Sequence, residues 1–382
     1  MEMKRVAILA MVAAAVWWVA SAGVAAETDP SKAGRAQQLV RQLGSASFQA
    51  REQATRELAK LGIAAAPALR EGATSDDAEI RVRCRRILIA VIEADTKARL
   101  DAFVADTGGL HKHDLPGWEQ FRKTVGTDRT ARALFVAIHR AEPDLMRAME
   151  EGPKVLGAAV NARCQSVYES IRPPGVRTQA PLGTIAALFF ASAQKDVKLL
   201  DQTRTYFHQV FALERSLQTA ITSGPTKPAM RLLVGAWIER THGADDPFRS
   251  LALAIRYELP QGLLPALVVV ENKDASVIQL RYGALAIARF GERKHIARLE
   301  PLLKNVANLP VRVGGEQLTL QVHDVALAAI MHLEGQDPRE FGFSRLQPNA
   351  PTLFMIDSLG FLNEDERKAT RKKWETWKAS RR

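Results

Sequence analysis

A twenty-residue stretch at 43–62, LGSASFQAREQATRELAKLG, returns in altered form thirty residues later, and this repetition constrains the fold more than any other feature of the chain. Ala50, Ala54, Leu58 and Leu61 fall at i, i+4, i+8 and i+11, which lays one apolar stripe along a helix that Ser47 is placed to cap. Ile80, Arg81, Cys84, Leu88 and Val91 occupy the places of Ala50, Arg51, Ala54, Leu58 and Leu61, with Asp77 standing where Ser47 stood. Both repeats therefore present the same face.

Two looser copies lie far downstream. Leu280, Arg281 and Ala284 open a third that ends at Phe290 and Gly291, and Val322, His323, Ala326, Ile330 and Leu333 form a fourth with histidine in the arginine slot. A hydroxyl or acidic cap, an apolar-Arg-x-x-Ala core and a Leu-x-x-Leu-Gly exit resemble the HEAT repeat, closely over 31–93 and loosely over 276–335. The resemblance implies an armadillo-like α-solenoid of stacked helix pairs with a concave surface suited to another macromolecule. It implies no reaction, because such repeats serve as scaffolds for unrelated activities.

The amino terminus has the order of a secretory signal: a charged start, MEMKR, an apolar run at 6–22, then small residues with cleavage expected after Ala22 or Ala26. The run is slightly long and contains Trp17 and Trp18, so an uncleaved membrane anchor is the alternative reading. An exported, periplasmic or extracellular chain is expected. The full sequence carries 53 basic and 42 acidic residues, a formal charge of +11, and loss of residues 1–26 leaves it at +10. That balance favours anionic neighbours: an acidic protein, an anionic envelope polymer or a lipid surface, with nucleic acid disfavoured for an exported chain. Cys84 and Cys164 each lie on an apolar helical stripe, which reads as two buried thiols in preference to a disulfide.

Residues 94–126 read as a linker and loop, with Gly108-Gly109 and the segment HKHDLPGW at 111–118. From 127 to 275 come helical segments broken by proline or glycine, among them 131–141, 155–171, 182–193, 199–221, 229–242 and 247–258. This middle block reads as degenerate repeats or a helical insert. Residues 276–345 hold the later repeats, interrupted by VRVGGEQLTLQV at 311–322, whose alternation about Gly314-Gly315 marks a β-hairpin. In the C-terminal segment, 346–382, Asn363 caps a helix with an acidic first turn and a basic remainder, the order that suits the helix dipole. Thr370, Trp374 and Trp377 share one face of it, either packed on the preceding repeat or forming an aromatic and basic surface element.

The sequence lacks a G-x-S-x-G elbow, an H-E-x-x-H pair, a glycine-rich phosphate loop, Cys-x-x-Cys and a calcium loop, so no catalytic residue and no cofactor is assigned. His111, His113 and Asp114 are the best local candidates for metal ligands, set against a plain polar linker. His139, Glu142 and Asp144 are where a hydrolase or lyase site would gather in the middle block, while His242, Asp245 and Asp246 read as a capped turn before Pro247. Arg51, Arg81 and Arg281 read as a structural ladder between repeats. Arg81, Arg83, Arg85 and Arg86 form the densest basic run, and with Arg51, Trp374 and Trp377 they are the candidate binding residues. The expectation is an all-α solenoid of HEAT-like hairpins with a small β-hairpin insertion, acting as a non-enzymatic scaffold; an enzyme and a peripheral membrane protein are the alternatives.

Overall fold

The computed structural model describes residues 30–171, 179–241 and 247–381, and 71% of these described residues are helical against 5% strand. The signal and anchor readings of residues 1–26, the proline-rich break at 173–175, and His242, Asp245 and Asp246 lie outside the described residues. The chain divides after Trp118 into two units.

The first unit is built from α1 (Pro30–Gln42), α2 (Phe48–Leu61), α3 (Ala66–Gly72) and α4 (Ala78–Ala105). Both expected caps form: Ser47 accepts from the Ala50 amide, and Asp77 from those of Glu79 and Ile80. The stripes meet as read, with Ala54 and Leu58 of α2 and Cys84, Ile87 and Val91 of α4 in one core with Leu39, Leu43 and Leu69. Gly72 permits the approach of α3 to α4, since a Cβ there would stand 2.5 Å from Cys84 Sγ. One boundary differs from the reading of a linker from residue 94: α4 runs unbroken to Ala105. Leu100 and Phe103 are buried near its end, and Phe103 meets Trp118 edge-on at 4.7 Å, so packing holds a stretch whose periodicity is weak.

Trp118, the last residue of the first unit, opens α5 (Trp118–Val125), and the second unit runs on from Glu119 through α6 (Arg129–Ala141), α7 (Pro143–Ala148), α8 (Pro153–Ile171) and α9 (Leu182–Ser192). Helix α9 is apolar on all sides and buried from Gly183 to Ser192, as befits a central element. The chain continues through α10 (Asp201–Gln209), α11 (Arg215–Thr222), α12 (Lys227–Thr241), α13 (Pro247–Arg256) and α14 (Leu263–Glu271), and of all the helices α6 and α12 pack most closely on α9, with α8 and α11 beside them. The helix expected at 199–221 is broken between α10 and α11 by a short 3₁₀ turn, Phe211–Leu213. The break lets Phe207 and Phe211 pack edge-on at 5.4 Å and frees the Ala212 carbonyl, which accepts from the Tyr257 hydroxyl at 2.5 Å.

The later repeats form α15 (Val277–Phe290), the short α16 (Ile296–Leu299) and α17 (Val322–Leu333). Strands β1 (Asn308–Val313) and β2 (Glu316–Gln321) pair antiparallel between them, with Gly314 and Gly315 both at positive φ, the backbone a two-residue hairpin turn demands. The small α18 (Pro338–Phe341), a pairing of β3 (Pro348–Asn349) with β4 (Leu353–Phe354), and α19 (Glu364–Ala379) complete the unit. Asn363 caps α19 as expected, accepting from the amides of Asp365 and Glu366. Among the described residues no helix is long and apolar enough to cross a membrane.

Candidate functional site

The arginine slots come first, because the repeat places them equivalently. Arg51 Nη1 donates to the Ser45 and Ala46 carbonyls at 2.7 and 3.1 Å, and Arg81 Nη1 to those of Ser75 and Asp76 at 2.6 and 3.2 Å. Each guanidinium thus closes the turn that leads into its own helix. Arg83 ties the two repeats together: its guanidinium meets Glu52 and Glu79, each at 2.7 Å, which lowers the Glu52 carboxyl's pKa and raises that of the guanidinium. Arg51, Arg81 and Arg83 are therefore occupied by their own fold. Arg86 is exposed, whereas Arg85 is half-buried.

The later copies use the slot differently. Arg281 is 3% exposed and donates through Nη2 to the Leu320 carbonyl of β2, while its Nε finds no hydrogen-bond partner. Burial pulls its pKa down. His323 is also buried, with Nε2 2.9 Å from Asp324 Oδ1 but neither ring nitrogen in a hydrogen bond. Asp324, fully buried, accepts from Arg367 Nε at 2.9 Å and Nη2 at 3.2 Å and from the Gln321 amide at 2.8 Å. Arg367 Nη2 also reaches the Thr319 carbonyl at 2.8 Å, so this pair clamps α19 to both β2 and α17.

The remaining polar candidates are likewise committed. His113 Nε2 stands 2.8 Å from Asp106 Oδ2, and Asp106 also accepts from the amides of Leu110 and His111, which holds its carboxyl well below the usual range, the His113 contact leading. Asp114 supplies its backbone carbonyl to Arg99 at 2.7 Å. The three metal candidates do not converge, and no cluster of metal-ligating side chains occurs among the described residues. Glu142 is buried and takes a bidentate pair of 2.7 Å bonds from Arg163 plus one from the Thr184 hydroxyl at 2.8 Å. His139 packs edge-on against Phe135, and the exposed Asp144 pairs with Arg147. Both thiols are buried and free, and burial pushes Cys84 up to about 11 and Cys164 higher still. A cleft of about 450 Å³ beside α18 is lined by His332, Asp337 and Arg339, the last two paired at 2.7 Å.

Helix α19 pairs Glu364 and Glu366 of its first turn, but beyond Arg367 its basic residues Lys368, Arg371, Lys372, Lys373 and Lys378 are exposed. Thr370 and Trp374 are buried, and Trp374 meets Phe341 edge-on at 5.3 Å, the packed arrangement. Trp377 lies half-buried one turn on, stacked on Trp374 at 4.6 Å, with the Arg381 guanidinium 4.7 Å over its ring. Next to this ladder a shallow, open groove of about 530 Å³ runs along Ala369, Lys372, Lys373, Thr376, Trp377 and Ser380, all on one face of this helix at i, i+3, i+4 and i+7 spacing. The Thr376 and Ser380 hydroxyls donate to the Lys372 and Trp377 carbonyls, which leaves the two ammonium groups and Arg381 as the cationic donors of the face.

Asp324, Arg367, Arg163 and Asp106 were not singled out in the sequence. For Arg367 a signal exists: it falls at i−3 from Thr370 on the stripe that continues through Trp374 and Trp377, a cation where an apolar residue is expected. Comparison with protein families, curated proteins and solved structures finds no match to the chain.

Proposed function

We propose that the protein is a non-enzymatic interaction module, an exported HEAT-like α-solenoid that docks an anionic partner. The observation that carries this reading is the contrast among its polar groups. Glu142, Asp106 and Asp324 are each bound by a structural partner, while Lys372, Lys373 and Arg381 stand exposed beside a groove with an aromatic wall. The solenoid reading is supported by the repeated bonds of Arg51 and Arg81, which close equivalent turns in consecutive units. The exported location rests on the charge and hydropathy order of residues 1–26.

Affinity capture from envelope extract, read by mass spectrometry at 50 and 500 mM salt, tests the module. A partner enriched at low salt and weakened at high salt is expected, since exposed charges are screened within about 10 Å at 0.1 M. Failure to retain any macromolecule at either salt concentration, together with turnover of a small substrate, overturns it.

A further inference from the structure

We propose that the groove on α19 binds an extended acidic polypeptide segment that carries apolar residues between its carboxylates; this rests on the interaction-module reading and names its partner. The cations come from one stretch of surface. Lys372 and Lys373 line the groove, Arg381 lies over the ring of the lining residue Trp377, and Lys368, Arg371 and Lys378 are exposed on the same helix, with Glu375 as the acidic residue among them. An ammonium group is a mobile point charge that suits carboxylates presented at varied angles. The groove is not charged throughout, however: Ala369 and Trp377 add apolar surface to its lining beside the lysines. A ligand that satisfies both must alternate acidic and apolar groups along its length.

The state of Trp377 decides between such a peptide and a lipid surface. An indole that anchors in a bilayer interface needs its apolar body free to leave the protein. Here one face of Trp377 is stacked on Trp374, tilted by 16°, and Arg381 covers the ring at 4.7 Å, while Trp374 is itself 4% exposed against Phe341. Arg381, Trp377, Trp374 and Phe341 thus pack in series, each against the next. They present an edge and a positive charge for a ligand to lie against, and the indoles are already packed.

The test uses the full chain and a fluorescein-labelled peptide of alternating glutamate and leucine, read by fluorescence anisotropy at 50 mM salt, with phosphatidylglycerol vesicles as the parallel probe. Binding of the peptide is expected, at least tenfold weaker for Lys372→Glu/Lys373→Glu and severalfold weaker for Trp377→Ala. The exposed double variant leaves the helix content by circular dichroism unchanged, which separates lost binding from lost folding. Peptide binding that is indifferent to the double variant overturns the proposed groove. Vesicle binding with a blue shift of tryptophan emission and no peptide binding overturns the polypeptide partner while leaving the interaction module standing. Absence of both, with no partner in the extract capture, overturns both readings.

Discussion

The two ends of the chain solve the same repeat position in opposite ways. In the first unit Arg51 and Arg81 are half-buried and bond backbone carbonyls five and six residues back, within their own turns, and Arg51 Nε also stands 3.4 Å from Glu79 of the next repeat. In the second unit Arg281 and His323 are sealed inside, and the element that relieves the buried charge of Asp324 is Arg367, forty-three residues further along the chain. A half-buried slot is satisfied by carbonyls of the adjoining turn, which are in reach whatever the rest of the fold does. An interior slot depends on distant parts of the chain: the hairpin brings the Leu320 carbonyl to Arg281, and α19 brings Arg367 to Asp324 beside His323.

The largest effect that would break this comparison lies in the interior clamp. Arg367→Ala strands the Asp324 carboxylate, and a loss of about 3–5 kcal/mol is expected by urea unfolding followed by tryptophan fluorescence. Asp324→Leu combined with Arg367→Met should recover most of it, because two apolar side chains of similar bulk remove both buried charges at once. A loss under about 1 kcal/mol for Arg367→Ala would mean that the pair is not the support described here.

Acid should separate the units next. Burial, with Arg249 nearby, pulls His208 of α10 down to about 4 from an ordinary value near 6.5. Between those values the unfolded chain binds a proton that the folded chain refuses, so stability falls as pH drops through that window, by on the order of 3 kcal/mol at its foot. His208→Leu should flatten the slope in a stability-against-pH series, and an unchanged slope would discount the group. In the first unit the depressed Asp106 works in a lower window: its contribution is complete above about pH 3.9 and is lost as pH falls towards its folded value. The second unit is therefore the one expected to weaken first on mild acidification.

Smaller effects sharpen the slot itself. Arg281→Ala removes a buried donor from the Leu320 carbonyl and should cost about 1–3 kcal/mol in the same unfolding assay. Arg51→Ala and Arg81→Ala each lose paired bonds to partly exposed carbonyls, and about 1 kcal/mol apiece is expected, since water can replace the donor. Equal losses at positions 51, 81 and 281 would erase the distinction between half-buried and interior slots.

The candidate binding residues divide along the same line. The run Arg81, Arg83, Arg85, Arg86 reads as a basic patch when charges are counted along the chain, yet Glu52 and Glu79 neutralise Arg83 from a neighbouring repeat and from the previous helical turn. Trp374 turned inward onto Phe341, and of the two tryptophans Trp377 alone reaches the groove. Lys372 and Lys373 looked like ordinary helix-surface charges in the sequence, because a groove is a property of neighbouring side chains in space.

What the sequence determined by itself is whatever depends on near neighbours: the caps at Ser47, Asp77 and Asn363, the stripes of α2 and α4, the glycine turn of the hairpin, and the helical class of the chain. Each is fixed by bonds or spacings within a few residues, so the pattern carries its own cause. The tertiary structure decided the continuation of α4 to Ala105, the break after Gln209, and the partners of Asp324, Glu142 and Asp106. The first two follow from packing that overrides weak local preference. The partner choices follow from burial, which makes an unpaired polar group costly and leaves its choice of partner to whichever chain segment the fold has already brought within reach.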